Sequence, residues 1–142
     1  MRATSNKFSP AVSGRVKTTL LAVSTNQEDL CSLQDILDED NWAVQHAKSC
    51  DEAARLMKTQ NPAVIACDLN LPDGSWRDLF NLATTLENPP PVVVVSCHAD
   101  ESLWAEVLSV GGYDLLAKPF ERNEVSRVVA MASRHGKTSA AH

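Results

Sequence analysis

The chain has no hydrophobic run approaching the roughly 20 residues that span a bilayer. Its opening residues are polar and basic, without the apolar centre of a secretory signal. A cytoplasmic, membrane-free protein is expected. Basic surplus is also missing: net charge is −5, and the Lys and Arg residues are scattered instead of forming a stripe that would track a phosphate backbone. Direct nucleic-acid binding is therefore not expected. Aromatics make up only 5% of the residues, and Trp42, Trp76 and Trp104 are scattered, forming no stacking platform in sequence. The four cysteines, Cys31, Cys50, Cys67 and Cys97, contain no C-x-x-C spacing, so reduced thiols are expected in place of a zinc site or disulfide. The Gly111-Gly112 pair precedes an apolar run and does not follow one, which removes a dinucleotide-binding fingerprint. A length of 142 residues suits one domain with one core, and a separate output domain is not expected.

What is present is an alternation of apolar runs with helical patterns. Thr18 to Val23 forms a first strand, and Leu30, Leu33, Ile36 and Leu37 then recur at helical spacing. Trp42, Val44 and His46 alternate with Ala43, Gln45 and Ala47, the pattern of a less buried edge strand. A second helix follows over about Cys50 to Lys58. A third carries Trp76, Leu79, Ala83 and Leu86 on one side, and a fourth ends at the glycine pair. The last, about Arg122 to Arg134, turns Val125, Val128, Val129 and Ala132 toward the sheet. Thr25 with Glu28, Ser49 with Glu52 and Ser75 with Asp78 have capping-box spacing at three helix starts. Pro89, Pro90 and Pro91 end the third connection before the next strand. Five strands and five helices in strict alternation predict an α/β fold with a single doubly wound, five-stranded parallel sheet over residues 17–134. Residues 1–16 and 135–142 lack periodic apolar positions, and flexible ends are expected there.

Three of the apolar runs close on a polar residue: Ala63-Val64-Ile65-Ala66-Cys67 on Asp68, Val92-Val93-Val94-Val95 on Ser96, and Leu115-Leu116-Ala117 on Lys118. A carboxylate, a hydroxyl and an ammonium thus fall at the carboxyl ends of parallel strands, the edge where open α/β sheets bind ligands. With Leu69-Asn70-Leu71-Pro72-Asp73-Gly74 after Asp68 and Pro119-Phe120 after Lys118, the order and separations of these residues resemble the response-regulator receiver domain of two-component signalling. The resemblance covers residues 18–134. It implies a flavodoxin-like strand order 2-1-3-4-5, with the site beside the first and third strands, and a cis Lys118–Pro119 bond. It further implies Asp68 as phospho-acceptor, Ser96 as switch hydroxyl, Lys118 as the phosphate-pairing ammonium and the Asn70 backbone carbonyl as a metal ligand beside Asp68. The phosphodonor it implies is a histidine kinase or phosphotransfer protein. Output would pass to a protein partner through the fourth helix, fifth strand and fifth helix, with Trp104 and Tyr113 as candidate anchors, and the chain would act as a stand-alone response regulator.

The sequence departs from that family at telling places. The acidic pair that resembling receivers carry after the first strand is replaced by Ser24 and Thr25. Mg²⁺ sheds its waters reluctantly and is usually held by carboxylates, so weak or absent Mg²⁺ binding is expected. Glu28 and Asp29, inside the first helix, are expected to face away from the pocket, and Lys118 is expected to pair directly with Asp68. Leu115 stands where receivers commonly place a switch aromatic, with Tyr113 two residues earlier, and Cys97 stands where they place a smaller residue. His98 has no partner at ligand spacing and is expected to face solvent. Two readings follow: a phospho-accepting receiver, or a phosphorylation-independent interaction module on the same fold. Neither is an enzyme beyond slow self-phosphorylation from small phosphodonors. A small Asp-dependent phosphatase is disfavoured, because Asn70 occupies the position of its required general acid and cannot exchange a proton.

Overall fold

The computed structural model describes residues 18–140, with side chains through His135, so the arm expected over residues 1–16 lies outside the described residues. Five strands, β1 (Thr18–Val23), β2 (Trp42–Ala47), β3 (Val64–Asp68), β4 (Val92–Ser96) and β5 (Asp114–Ala117), form one parallel sheet in the order β2-β1-β3-β4-β5. The helices α1 (Gln27–Glu39), α2 (Cys50–Gln60), α3 (Trp76–Ala83), α4 (Glu101–Val110) and α5 (Arg122–Ala140) alternate with them. The expected doubly wound α/β architecture is therefore the observed one.

Side-chain alternation along the strands splits the core into two layers. Leu20, Ala22, Val64, Ala66, Val93, Val95 and Leu116 pack with Leu30, Leu33 and Leu37 of α1 and Val125, Val128 and Val129 of α5. Leu21, Val23, Ile65, Cys67, Val92, Val94 and Leu115 pack on the opposite face with Ala53 and Met57 of α2, Trp76 and Leu79 of α3, and Val107 of α4. Burying each Val or Leu side chain is worth about 1.5–3 kcal/mol, so the near-continuous apolar strands hold the sheet's register firmly. Burial also acts on the thiols: it raises the Cys67 pKa, reinforced by the nearby Asp68. It likewise raises that of Cys50 to about 11, reinforced by Asp73 and Asp78. All four cysteines are free thiols.

The helix boundaries correct several expectations. The N-cap of α1 is Asn26, whose side chain accepts from the Asp29 N–H at 3.2 Å, and not Thr25. The reason is that the chain is still leaving β1 at Ser24, whose N–H donates to the Ala47 carbonyl at 2.9 Å. Ser49 caps α2 by accepting from the Glu52 N–H, but Glu52 turns its carboxylate to the Lys48 N–H, so only half of that capping box forms. Ser75 and Asp78 complete theirs at α3. That helix stops at Ala83, and Leu86 reaches the same core layer from the turns beyond it. α5 continues to Ala140, past the expected end at Arg134 and into the stretch expected to be a flexible tail.

Between β3 and α3 the chain makes a short antiparallel ribbon, Asn70–Leu71 against Gly74–Ser75, that the sequence pattern did not foretell. Asp73 at its tip accepts from the Cys50 and Asp51 N–H groups, at 2.8 and 3.0 Å, and so ties the loop to the N-terminus of α2. These backbone N–H bonds hold the Asp73 carboxyl below the ordinary carboxylate range. A depressed folded-state value means that the contribution of Asp73 is present above the unfolded value of about 3.9 and is lost as pH falls through the folded one. Asp73→Asn is thus expected to unfold at lower urea than wild type at neutral pH, with the gap narrowing below about pH 3.9. Urea melts at both pH values check this, and a gap that does not change with pH contradicts it.

Candidate functional site

The parallel register brings the three strand ends to one edge: Asp68 lies opposite Val95, and Ser96 opposite Ala117, with Lys118 next in line. Lys118 is fixed through its backbone, since its N–H donates to the Ser96 carbonyl at 3.0 Å, and the Lys118–Pro119 peptide is cis, as the family resemblance implies. Its ammonium lies 3.0 Å from Asp68 Oδ1. The same ammonium is paired with Asp29 Oδ2, so a single cation bridges two carboxylates.

That second partner overturns an expectation. Asp29 was expected to face away from the pocket, yet it projects from the first turn of α1 onto Lys118, while Glu28 is exposed. The signal was available in the helix periodicity. Asp29 precedes Leu33 by four residues and Ile36 by seven, which places it at the head of the buried stripe of α1. Asn26 reinforces this placement by holding the Asp29 N–H.

Ser24 also enters the site. It is buried, and its hydroxyl donates to Asp68 Oδ2 while accepting from the Asn26 N–H at 3.0 Å. The backbone donor occupies the oxygen of Ser24 and directs its one proton to Asp68. Thr25, its neighbour, is exposed. Ser96 is buried at the same edge, and its hydroxyl accepts from the His98 N–H at 3.0 Å. Cys97 and His98 are exposed, His98 as expected. Asn70 is exposed at the start of the ribbon that follows Asp68. Leu115 is buried beneath this edge, and Tyr113 lies just before β5 instead of within it, half-buried with its ring 5.3 Å from that of His135.

Burial works against the charged form of Lys118, but hydrogen bonds to Asp29 and Asp68, with their charges, outweigh it and raise the ammonium's pKa. Three formal charges, two negative and one positive, leave the cluster net negative.

A family model for the response regulator receiver domain matches residues 20–130. The chain belongs to the response-regulator receiver family. It is 31% identical over 128 residues to the KDP operon transcriptional regulatory protein KdpE of Escherichia coli, covering 87% of this chain and 55% of that protein. It is 27% identical over 104 residues to the transcriptional regulatory protein FixJ of Rhizobium meliloti, covering 73% and 51%. The chain thus spans about half the length of the curated relatives it matches. Its fold is that of the signal receiver domain of an HD domain-containing protein from Pseudomonas fluorescens, with a TM-score of 0.79 at 18% identity over 89% of this chain and 93% of that one. Receiver domains are signalling modules, generally non-enzymatic, and typically bind Mg²⁺ in an acidic pocket.

The donor set of this pocket departs from an acidic metal pocket, because Ser24 and Thr25 bring hydroxyls and not carboxylates to the end of β1. Asp68 offers both oxygens to donors of its own chain, Ser24 and Lys118, and the nearby Asp29 is also spent on Lys118. Among the described residues no three His, Cys, Asp or Glu side chains are grouped to hold a metal.

The bridge makes a measurable claim about coupling. In a double-mutant cycle with Asp29→Asn and Lys118→Met, urea denaturation is expected to give an Asp29–Lys118 coupling of about 1–3 kcal/mol, above the roughly 0.5 kcal/mol of an exposed helix pair. Because the folded-state pKa of Lys118 is raised, its contribution is complete below the unfolded value of about 10.4 and is lost as pH rises through the folded one. Lys118→Met should therefore lack that alkaline loss. Coupling near zero contradicts the bridge.

Proposed function

We propose that this receiver acts as an interaction module whose binding surface does not depend on phosphorylation of Asp68. The observation that carries this reading is that both Asp68 oxygens are engaged by Ser24 and Lys118, where phosphoryl transfer needs a free carboxylate and a cation-rich surround. An incoming phosphoryl group is anionic. Here it meets a net negative cluster whose one ammonium is already shared between two carboxylates, and the pocket offers Mg²⁺ only weak binding.

Output in this reading passes through α4, β5 and α5 to a protein partner within a two-component or phosphorelay pathway, in the cytoplasm and without nucleic-acid contact. Trp104 is 47% exposed on α4, with Leu108 one turn further along also exposed, which supports an apolar anchor there. The Trp104 indole N–H donates to Asp114 at 3.1 Å, and that bond holds the ring beside the start of β5. Leu115, buried in place of a switch aromatic, supports a surface that stays in one state.

A second reading keeps Asp68 as phospho-acceptor, with Ser96 as switch hydroxyl, Lys118 as phosphate partner, and a histidine kinase or phosphotransfer protein as donor. The shared edge of these three residues favours it. Acetyl phosphate with intact-mass analysis separates the two readings: wild type is expected to stay unmodified or gain phosphate slowly, and only at Asp68, as judged by its loss in Asp68→Asn. The backbone amide spectra of α4, β5 and α5 are expected to match between wild type and Asp68→Asn. Rapid stoichiometric modification that shifts those amides contradicts the phosphorylation-independent reading.

A further inference from the structure

Receiver chemistry needs a cation beside the acceptor carboxylate, and this pocket holds one that belongs to the chain. We propose that the Asp29–Lys118–Asp68 bridge takes the place of the divalent metal, with Asp29 as the positioning residue that keeps the Lys118 ammonium between the two carboxylates and the pocket closed to Mg²⁺. The proposal rests on the phosphorylation-independent reading and gives that reading its mechanism.

Ser24 and Thr25 put neutral hydroxyls where a pair of acids would make the pocket strongly anionic. Lys118 alone then faces Asp68, and a lone acid–base pair on a strand edge leaves the flexible lysine free to swing to water. Asp29 removes that freedom from the opposite side. It is itself held at two points, its N–H by Asn26 and its carboxylate by Lys118, and all three members of the bridge are largely screened, with side-chain exposures of 19%, 19% and 15% for Asp29, Lys118 and Asp68. Lys118 is anchored in turn by its N–H bond to Ser96. The bridge therefore joins α1, β3 and the end of β5 through charge-assisted contacts, much as a bound ion would.

Mg²⁺ would have to compete with the ammonium and the Ser24 proton for the Asp68 carboxylate, in addition to shedding its own waters. Each of these steps opposes binding, and one freed carboxylate returns little. Removing the ammonium reverses the balance. Asp29 and Asp68 would then face each other across the vacated space with no positive charge between them, the arrangement that a hard divalent ion favours.

The test uses the full chain with MgCl₂ as the only ligand, against KCl at matched ionic strength. Wild type is expected to show one melting temperature in both salts across the millimolar range. Lys118→Gln is expected to melt higher in MgCl₂ than in KCl and to bind Mg²⁺ at least about tenfold more tightly than wild type by calorimetry. Adding Asp29→Asn to Lys118→Gln should abolish that gain. A folded Lys118→Gln that ignores Mg²⁺ overturns the proposal, as does a gain that survives loss of Asp29. If Lys118→Gln does not fold, wild type decides alone: backbone amides of Asp29, Asp68 and Asn70 that stay still during Mg²⁺ titration support the bridge, and saturable shifts at millimolar Mg²⁺ overturn it. Failure of the functional reading would appear separately, as rapid Asp68 phosphorylation with altered α4, β5 and α5 amides in the acetyl phosphate experiment.

Discussion

One ammonium group organises the carboxyl edge of this sheet. Lys118 extends from the end of β5 to Asp68 at the end of β3, and Asp29 meets it from α1, so three separate stretches of chain converge on a single positive charge. Parallel register makes the convergence possible. Apolar strands buried on both faces cannot slip by a residue without turning core side chains the wrong way, and their polar ends therefore arrive at the same edge. The core thus sets the geometry of the site, and the site in turn ties α1 to the sheet.

This arrangement differs in kind from a pocket built around a metal. A divalent ion binds or leaves with its concentration and can serve a passing phosphoryl group, whereas in the proposed bridge a lysine held by two carboxylates is a constant part of the fold. The Ser24 hydroxyl completes the enclosure, since its oxygen is used by the Asn26 N–H and its proton is given to Asp68. Both oxygens of Asp68 thus accept hydrogen bonds from donors of its own chain. The receiver fold is retained, and in the proposed reading the electrostatics that would drive phosphoryl transfer are altered at their source.

Much of this was legible in the residue pattern. Uninterrupted runs such as Val92 to Val95 announced buried parallel strands, and the residues closing those runs lie together at one edge of the sheet. Ser75 and Asp78 gave their capping box correctly because both partners act within one turn. Thr25 misled because the same spacing argument ignored how far β1 carries the chain before α1 begins, and Asn26 captured the cap. Asp29 was misread for a related reason: its neighbours in sequence suggested a solvated first turn, whereas its partner, Lys118, lies at the far end of the chain. Long-range ion pairs leave only an indirect trace in a sequence, here the alignment of Asp29 with Leu33 and Ile36 on one helical face. The ribbon after Asp68 leaves no trace in the sequence pattern because two-residue pairings carry no periodicity.

In the proposed bridge a lysine, and not a metal, is the resident cation of this pocket. A crystal structure of the full chain grown in saturating MgCl₂ tests it most directly. The Lys118 ammonium is expected still between Asp29 and Asp68, with the Ser24 hydroxyl on the second Asp68 oxygen. A six-coordinate ion bound to Asp68 and the Asn70 carbonyl, with Lys118 displaced from the carboxylates, would contradict it.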